Sequence, residues 1–256
     1  MPGKRVRMLF IGNSFTTKNN LPTLLSGIAL AGMGINIESK VISAGGASLR
    51  RHWNAGAASA ITGEKWDHVV FQEQSTLPVK NSNRFHENVR AFVPAMKESG
   101  AKMVLFMTWA RKKEPENQTL LTDSYNQIGK ELEASVVPVG TAWQKLLAKH
   151  DKPVLHAEDG SHPTIAGSYL AACTFYATLF GGDPTKIETD LSNVTDEERK
   201  LLQRLTPVQL GGIPGRAWIH KGVAVGVAYP CAAFAIAGPV AARLVLARWH
   251  RGAINL

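Results

Sequence analysis

With 256 residues, 45% of them aliphatic or aromatic and 19% charged, the chain can bury one sizeable core and is neither disordered nor fibrous. Its formal charge of +9 does not point to nucleic acid: Arg216, Lys221, Arg243, Arg248 and Arg251 fall in a tail, 207–256, that has no acid, and the other basic residues come in short groups such as Arg50-Arg51, with no RNA motif or zinc finger. Cys173 and Cys231 lie far apart in apolar company, which argues against a disulfide framework and offers no Cys-based metal spacing.

From the N-terminus, Lys4, Arg5 and Arg7 precede an apolar run too short for a signal peptide, so the expectation is a cytoplasmic protein, or an exported one whose leader is not part of this sequence. Apolar runs then alternate with stretches of helical period, the pattern of βαβ units around a parallel sheet. Strands are expected at 6–11, 36–42, 67–73, 102–108 and about 135–139. Between them 21–33, 48–61, 83–99 and 118–134 read as helices, with Gly34 and Gly100 placed to stop two of them. Pro163 suits a first helical turn, and Ile165, Tyr169, Ala172, Cys173, Tyr176 and Phe180 form an apolar stripe ending at Gly181-Gly182, so that helix is expected to carry His162 at its N-terminus. Thr195 and Glu198 make a capping box for a last helix through Leu201, Leu202 and Leu205. Residues 222–242 are free of charge over about the length of a bilayer span but contain Pro230 and Pro239; a peripheral appendage is expected, with membrane association as the alternative.

In open α/β sheets the site lies outside the carboxyl ends of the strands, and the unusual residues of this chain collect there. Ser14 follows the first strand directly, in Gly12-Asn13-Ser14-Phe15. A serine hydroxyl needs a base to become a nucleophile, and Asp159-Gly160-Ser161-His162 offers one: His162 as base and then acid, with Asp159 to orient it. Acyl transfer also needs donors for an oxyanion. Candidates are the amide of Ser14, an amide of the Gly45-Gly46 turn, and the side-chain amide of Gln72 or Gln74 after the third strand. Trp109, after the fourth strand, is either a wall of the substrate pocket or a core residue, and Asn13 is a further substrate-binding candidate.

These residues, in this order, resemble the SGNH (GDSL-type) hydrolase superfamily, and more closely a bacterial branch whose first block reads Gly-Asn-Ser. The resemblance covers about residues 6–205 and implies a three-layer α/β/α sandwich with a five-stranded parallel sheet of flavodoxin-like type, over a domain 1–206 followed by the extension 207–256. It implies Ser14 as nucleophile and first oxyanion donor, Gly46 as second, His162 as base and Asp159 as its orienting acid. Where the superfamily has Gly-x-Asn-Asp, this chain has Gln72-Glu73-Gln74-Ser75, which puts Gln74 at the position of the oxyanion asparagine. The implied activity is cofactor-free and metal-independent ester hydrolysis on a small ester or acylated carbohydrate, with an acyl hydrolase for longer chains as the alternative. A carbohydrate- or phosphate-binding protein is a second alternative, although the turn lacks the Gly-Lys-Ser/Thr ending of a P-loop. A third is a metal-dependent hydrolase built on His156, Glu158, Asp159 and His162, whose spacing matches no zinc signature.

Overall fold

The computed structural model describes residues 3–188 and 194–206. The expectations for 207–256, including a membrane segment at 222–242, lie outside the described residues. Five strands, β1 (Arg5–Gly12), β2 (Asn36–Ser43), β3 (His68–Phe71), β4 (Lys102–Met107) and β5 (Ser135–Pro138), form one all-parallel sheet in the order β2-β1-β3-β4-β5. The order reverses between β1 and β3, and that switch point is where an open α/β sheet leaves a crevice.

The edge strand β2 is mostly exposed and carries Asn36, Glu38 and Lys40, whereas β1, β3 and β4 are largely apolar because both faces of the sheet are covered there. Their two-residue alternation divides them between two cores. Met8 and Phe10 of β1, with Val104 and Phe106 of β4, pack under α2 (Leu21–Met33), α9 (Val139–Leu147) and α10 (Ile165–Phe180). Leu9 and Ile11, with Leu105 and Met107, pack under α3 (Leu49–Asn54), α4 (Ala57–Thr62), α6 (Ser82–Ala91), α7 (Val93–Ser99) and α8 (Asn117–Glu131). Each large apolar side chain so buried contributes about 1.5–3 kcal/mol. The remaining helices are α1 (Ser14–Thr17), α5 (Leu77–Lys80) and α11 (Asp196–Arg204). Among the described residues no helix is long and apolar enough to cross a membrane.

Three helical expectations are corrected. The stretch 48–61 is two helices, broken where Gly56 takes φ +81°, and 83–99 is two helices meeting at Phe92-Val93-Pro94, where proline has no N–H to continue the ladder. Pro163 does not enter a first helical turn: α10 is capped by Thr164, whose hydroxyl accepts from the Gly167 amide at 3.2 Å, and Pro163 pairs with His156 as an isolated bridge. Helix α9 was not foreseen. It begins directly at the end of β5, after Pro138 and without a capping side chain, so its first residue reads as the end of the strand.

Candidate active site

Gly12 ends β1 in a space that admits no side chain, since a Cβ there would lie 2.6 Å from Thr16 Oγ1 and 2.7 Å from Gln72 Oε1. The chain turns at Asn13, whose Oδ1 accepts from the Phe15 amide at 3.1 Å and caps the single turn of α1. Ser14 is the first residue of that turn and is half-buried. Its neighbours are fixed from several directions. Gln72 Oε1 accepts from the Asn13 amide at 2.8 Å and the Thr16 hydroxyl at 3.0 Å, and His52 Nε2–H donates to the Gly12 carbonyl at 2.7 Å. Burial holds the His52 imidazole below its usual range, in keeping with a neutral ring that donates from Nε2.

Ser14 Oγ lies 2.8 Å from His162 Nε2. On the other side of the ring, His162 Nδ1 meets Asp159 Oδ2. An ionised carboxylate only accepts, so Nδ1 carries the hydrogen and Nε2 is left to accept from the serine hydroxyl. Asp159 also accepts the amides of Ser161 and His162 through Oδ1, each at 2.9 Å, which folds the loop into an Asx turn. The hydrogen bond from the His162 ring, followed by those two amides, holds the Asp159 carboxyl well below the usual carboxylate range.

The loop of His162 is braced from below. Trp109 is 2% exposed, stacks on Trp143 with ring centroids 3.9 Å apart and on Phe15 at 5.1 Å, and donates its indole N–H to the Ser161 carbonyl at 3.0 Å. Phe15 in turn lies 5.3 Å from the His162 ring. Trp109 is therefore a core support and not an exposed pocket wall, which settles the alternative left open by its position after β4. Asn13 is corrected likewise. It is 2% exposed, and besides its cap it donates Nδ2–H to the Ala47 carbonyl at 3.0 Å, so both ends of its amide are committed inside the protein and neither reaches substrate. Asn19 was not singled out by its sequence. At φ 53° it ties the turn after α1 to the histidine loop by donating to the Pro163 carbonyl at 3.0 Å and to Ser168 Oγ at 2.9 Å.

The two glutamines differ in what they leave available. Gln72 is fully buried, with its amide oxygen occupied as above and its NH2 donating to the Glu73 carbonyl. Gln74 is half-buried, and its oxygen accepts from the Thr76 amide, the Thr76 hydroxyl and the Leu77 amide, each at 3.0 Å. Those donors fix which end of the amide is oxygen, and its NH2 has no partner among the described residues. Gly46 is exposed at φ +62° in the turn closed by Ala47 N–H to the Ala44 carbonyl at 3.1 Å. The amides of Ser14 and Gly46 make no hydrogen bond to another described residue.

The crowded acids and histidines near residue 160 do not converge. His156 is buried, with Nε2 on the Ala110 carbonyl at 3.0 Å, and among the described residues no three His, Cys, Asp or Glu side chains are gathered as metal ligands would be. Two cavities flank the segment Ala110-Arg111. One, of about 340 Å³, has Ser75, Thr76, Lys80, Glu114 and Asn117 in its wall, next to Gln74. The other, of about 350 Å³, is mostly apolar, with Trp143, Leu147, Val154 and Leu155 among its lining residues.

No protein-family model matches the chain. No curated protein matches it at a significant level. Among solved structures, a protein from Slackia heliotrinireducens, provisionally assigned as an SGNH hydrolase, superposes with a TM-score of 0.59 at 27% identity, over 69% of this chain and 100% of that one. The chain belongs to the SGNH superfamily. Two further solved structures share the fold at lower identity. A DUF4886 family protein from Bacteroides uniformis has a TM-score of 0.65 at 21% identity, covering 79% of this chain and 93% of that one. An acetylxylan esterase from Geobacillus stearothermophilus has a TM-score of 0.55 at 19% identity, over 70% and 97%.

Proposed function

We propose that the protein is a serine esterase that hydrolyses short-chain carboxylic esters, O-acetyl groups on carbohydrates among them, through an acyl-enzyme on Ser14. The observation that carries this reading is the hydrogen-bonded series from Ser14 Oγ to His162 Nε2 and from His162 Nδ1 to Asp159. Ser14 Oγ attacks the ester carbonyl carbon as its proton passes to His162 Nε2. The carbonyl oxygen becomes an oxyanion, held by the amides of Ser14 and Gly46 and the NH2 of Gln74. Collapse expels the alcohol, which takes the proton from His162, and water activated by the same imidazole then releases the acid and restores Ser14.

A hydrophilic alcohol portion is favoured by the mixed cavity beside Gln74, where Ser75, Thr76, Lys80 and Asn117 offer hydrogen-bonding groups next to Val79 and Leu121. The likeness in fold to an acetylxylan esterase agrees with that reading. A series of p-nitrophenyl esters tests it, together with acetate release from acetylated xylan. The expected result is the highest kcat/KM on acetate or butyrate, falling about tenfold or more by octanoate. A rise with chain length would turn the assignment toward a lipase or thioesterase.

Asp159→Asn should lower kcat by about 10²–10⁴-fold with KM little changed, because the Ser161 and His162 amides would hold the single amide oxygen and turn its NH2 toward Nδ1, which must then accept and leaves the hydrogen on Nε2. The sign of the pH dependence follows from the depressed Asp159 carboxyl. It stays ionised throughout the working range, so the acid limb of the wild-type pH–rate profile reports a group other than Asp159.

A further inference from the structure

Glu73 is a carboxylate with no contact with water, at 0% exposure, in a position where the sequence offers no reason for one. It follows β3 directly, between the two glutamines. Its Oε1 accepts from the Leu49 amide at 3.0 Å and from the Gln74 amide at 2.7 Å. Its Oε2 accepts from Asn88 Nδ2–H of α6 at 2.8 Å, and Asn88 Oδ1 accepts from Arg50 Nε–H at 3.1 Å. Burial pushes the Glu73 carboxyl up, while these three donors oppose that shift. An unpaired buried carboxylate would be expensive, and an apolar side chain would fill the space at less cost. What the carboxylate adds is position. One oxygen joins two chain segments at their backbone amides: the segment that begins at Gly46 and leads into α3, and the loop after β3 that carries Gln74.

We propose that Glu73 is a positioning residue for catalysis, whose buried carboxylate fixes the Gly46 segment to the Gln74 segment and so sets the spacing of the two oxyanion donors that lie outside the Ser14 turn. This rests on the esterase reading above. The donors act only if they are aimed at the oxygen in the transition state, so a loosened tie lowers kcat more than it weakens substrate binding.

The test compares Glu73→Ala, Glu73→Asp and Glu73→Gln with the wild type on p-nitrophenyl acetate, well below each melting temperature, and includes the rate at which a fluorophosphonate modifies Ser14. Gln at 73 keeps an oxygen for the Leu49 and Gln74 amides, and the Asn88 amide can reverse to accept from its NH2, giving up only the bond from Arg50. Asp at 73 is one methylene short of holding both segments. Glu73→Ala is expected to lose about 100-fold in kcat and a similar factor in phosphonylation rate, with KM within about threefold, whereas Glu73→Gln loses less than about tenfold. Should the alanine variant not fold, Glu73→Asp takes its place, with a kcat well below that of Glu73→Gln. The role of Glu73 is overturned if a folded Glu73→Ala or Glu73→Asp turns over as fast as the wild type, or if the glutamine variant is no better than either. Wild-type turnover that Ser14→Ala abolishes isolates that failure to Glu73. A wild type with no turnover and no labelling of Ser14 sinks the esterase reading and this role together.

Discussion

Replacing Ser14 with alanine is expected to reduce hydrolysis of p-nitrophenyl acetate by about 10⁵–10⁶-fold, to the level that binding and oxyanion stabilisation alone sustain. The substitution removes one oxygen from a half-buried position and leaves the capping bond between Asn13 and the Phe15 amide in place. The melting temperature should therefore move little, and the loss belongs to chemistry. A fluorophosphonate should label the wild type once and leave Ser14→Ala unmodified, with the adduct located by mass spectrometry on the peptide that contains Ser14. A variant that keeps near wild-type turnover, or that is still labelled, would mean that another nucleophile does the work.

His162→Ala should cost nearly as much, since Ser14 Oγ then has no acceptor for its proton and the leaving alcohol has no donor. Two features distinguish this from general damage. The remaining rate should rise about tenfold per pH unit over the alkaline range, because hydroxide must take the serine proton in place of the imidazole. The double variant Ser14→Ala/His162→Ala should be no slower than either single one, because the two residues act as a unit. A flat pH profile, or losses that multiply, would separate the two residues and undo the assignment.

The site was legible in the sequence to the extent that its chemistry sits in short local motifs. Ser14 follows the apolar run 8–11, short and closed by a glycine turn as a buried strand is, and Asp159 and His162 share one turn, so type and approximate place are both visible. Asn13 and Trp109 show where that legibility stops. Each was next to the right feature, but whether a side chain faces substrate or the interior depends on burial, and burial depends on segments far along the chain, such as Ala47 for Asn13 and Trp143 for Trp109. Glu73 left no signal at all, because the partners that give it meaning, Leu49 and Asn88, lie 24 and 15 residues away on either side.

The strands show the same division. Largely apolar runs reveal β1, β3 and β4, since a sheet covered on both faces needs such side chains at nearly every position, whereas the mostly exposed β2 is legible chiefly by its place between two helices. Their neighbours in the sheet, and the switch point between β1 and β3, emerge only on assembly. Helix α9 was hidden because Val139, β-branched and uncapped, reads as the end of the strand, while packing of Ala142, Trp143 and Leu146 into the core is what makes it helical. By itself, then, the sequence determined which chemical groups are on offer: a serine and side-chain amides after strands, and an imidazole and a carboxylate in one late turn. Tertiary structure alone decided that the serine and the imidazole, 148 residues apart, meet at 2.8 Å, and that Gln74 keeps an amide free while Gln72 does not. The physical reason is range. Hydrogen bonds form or fail within a few tenths of an ångström, and distances that fine are set by how remote segments pack against one another.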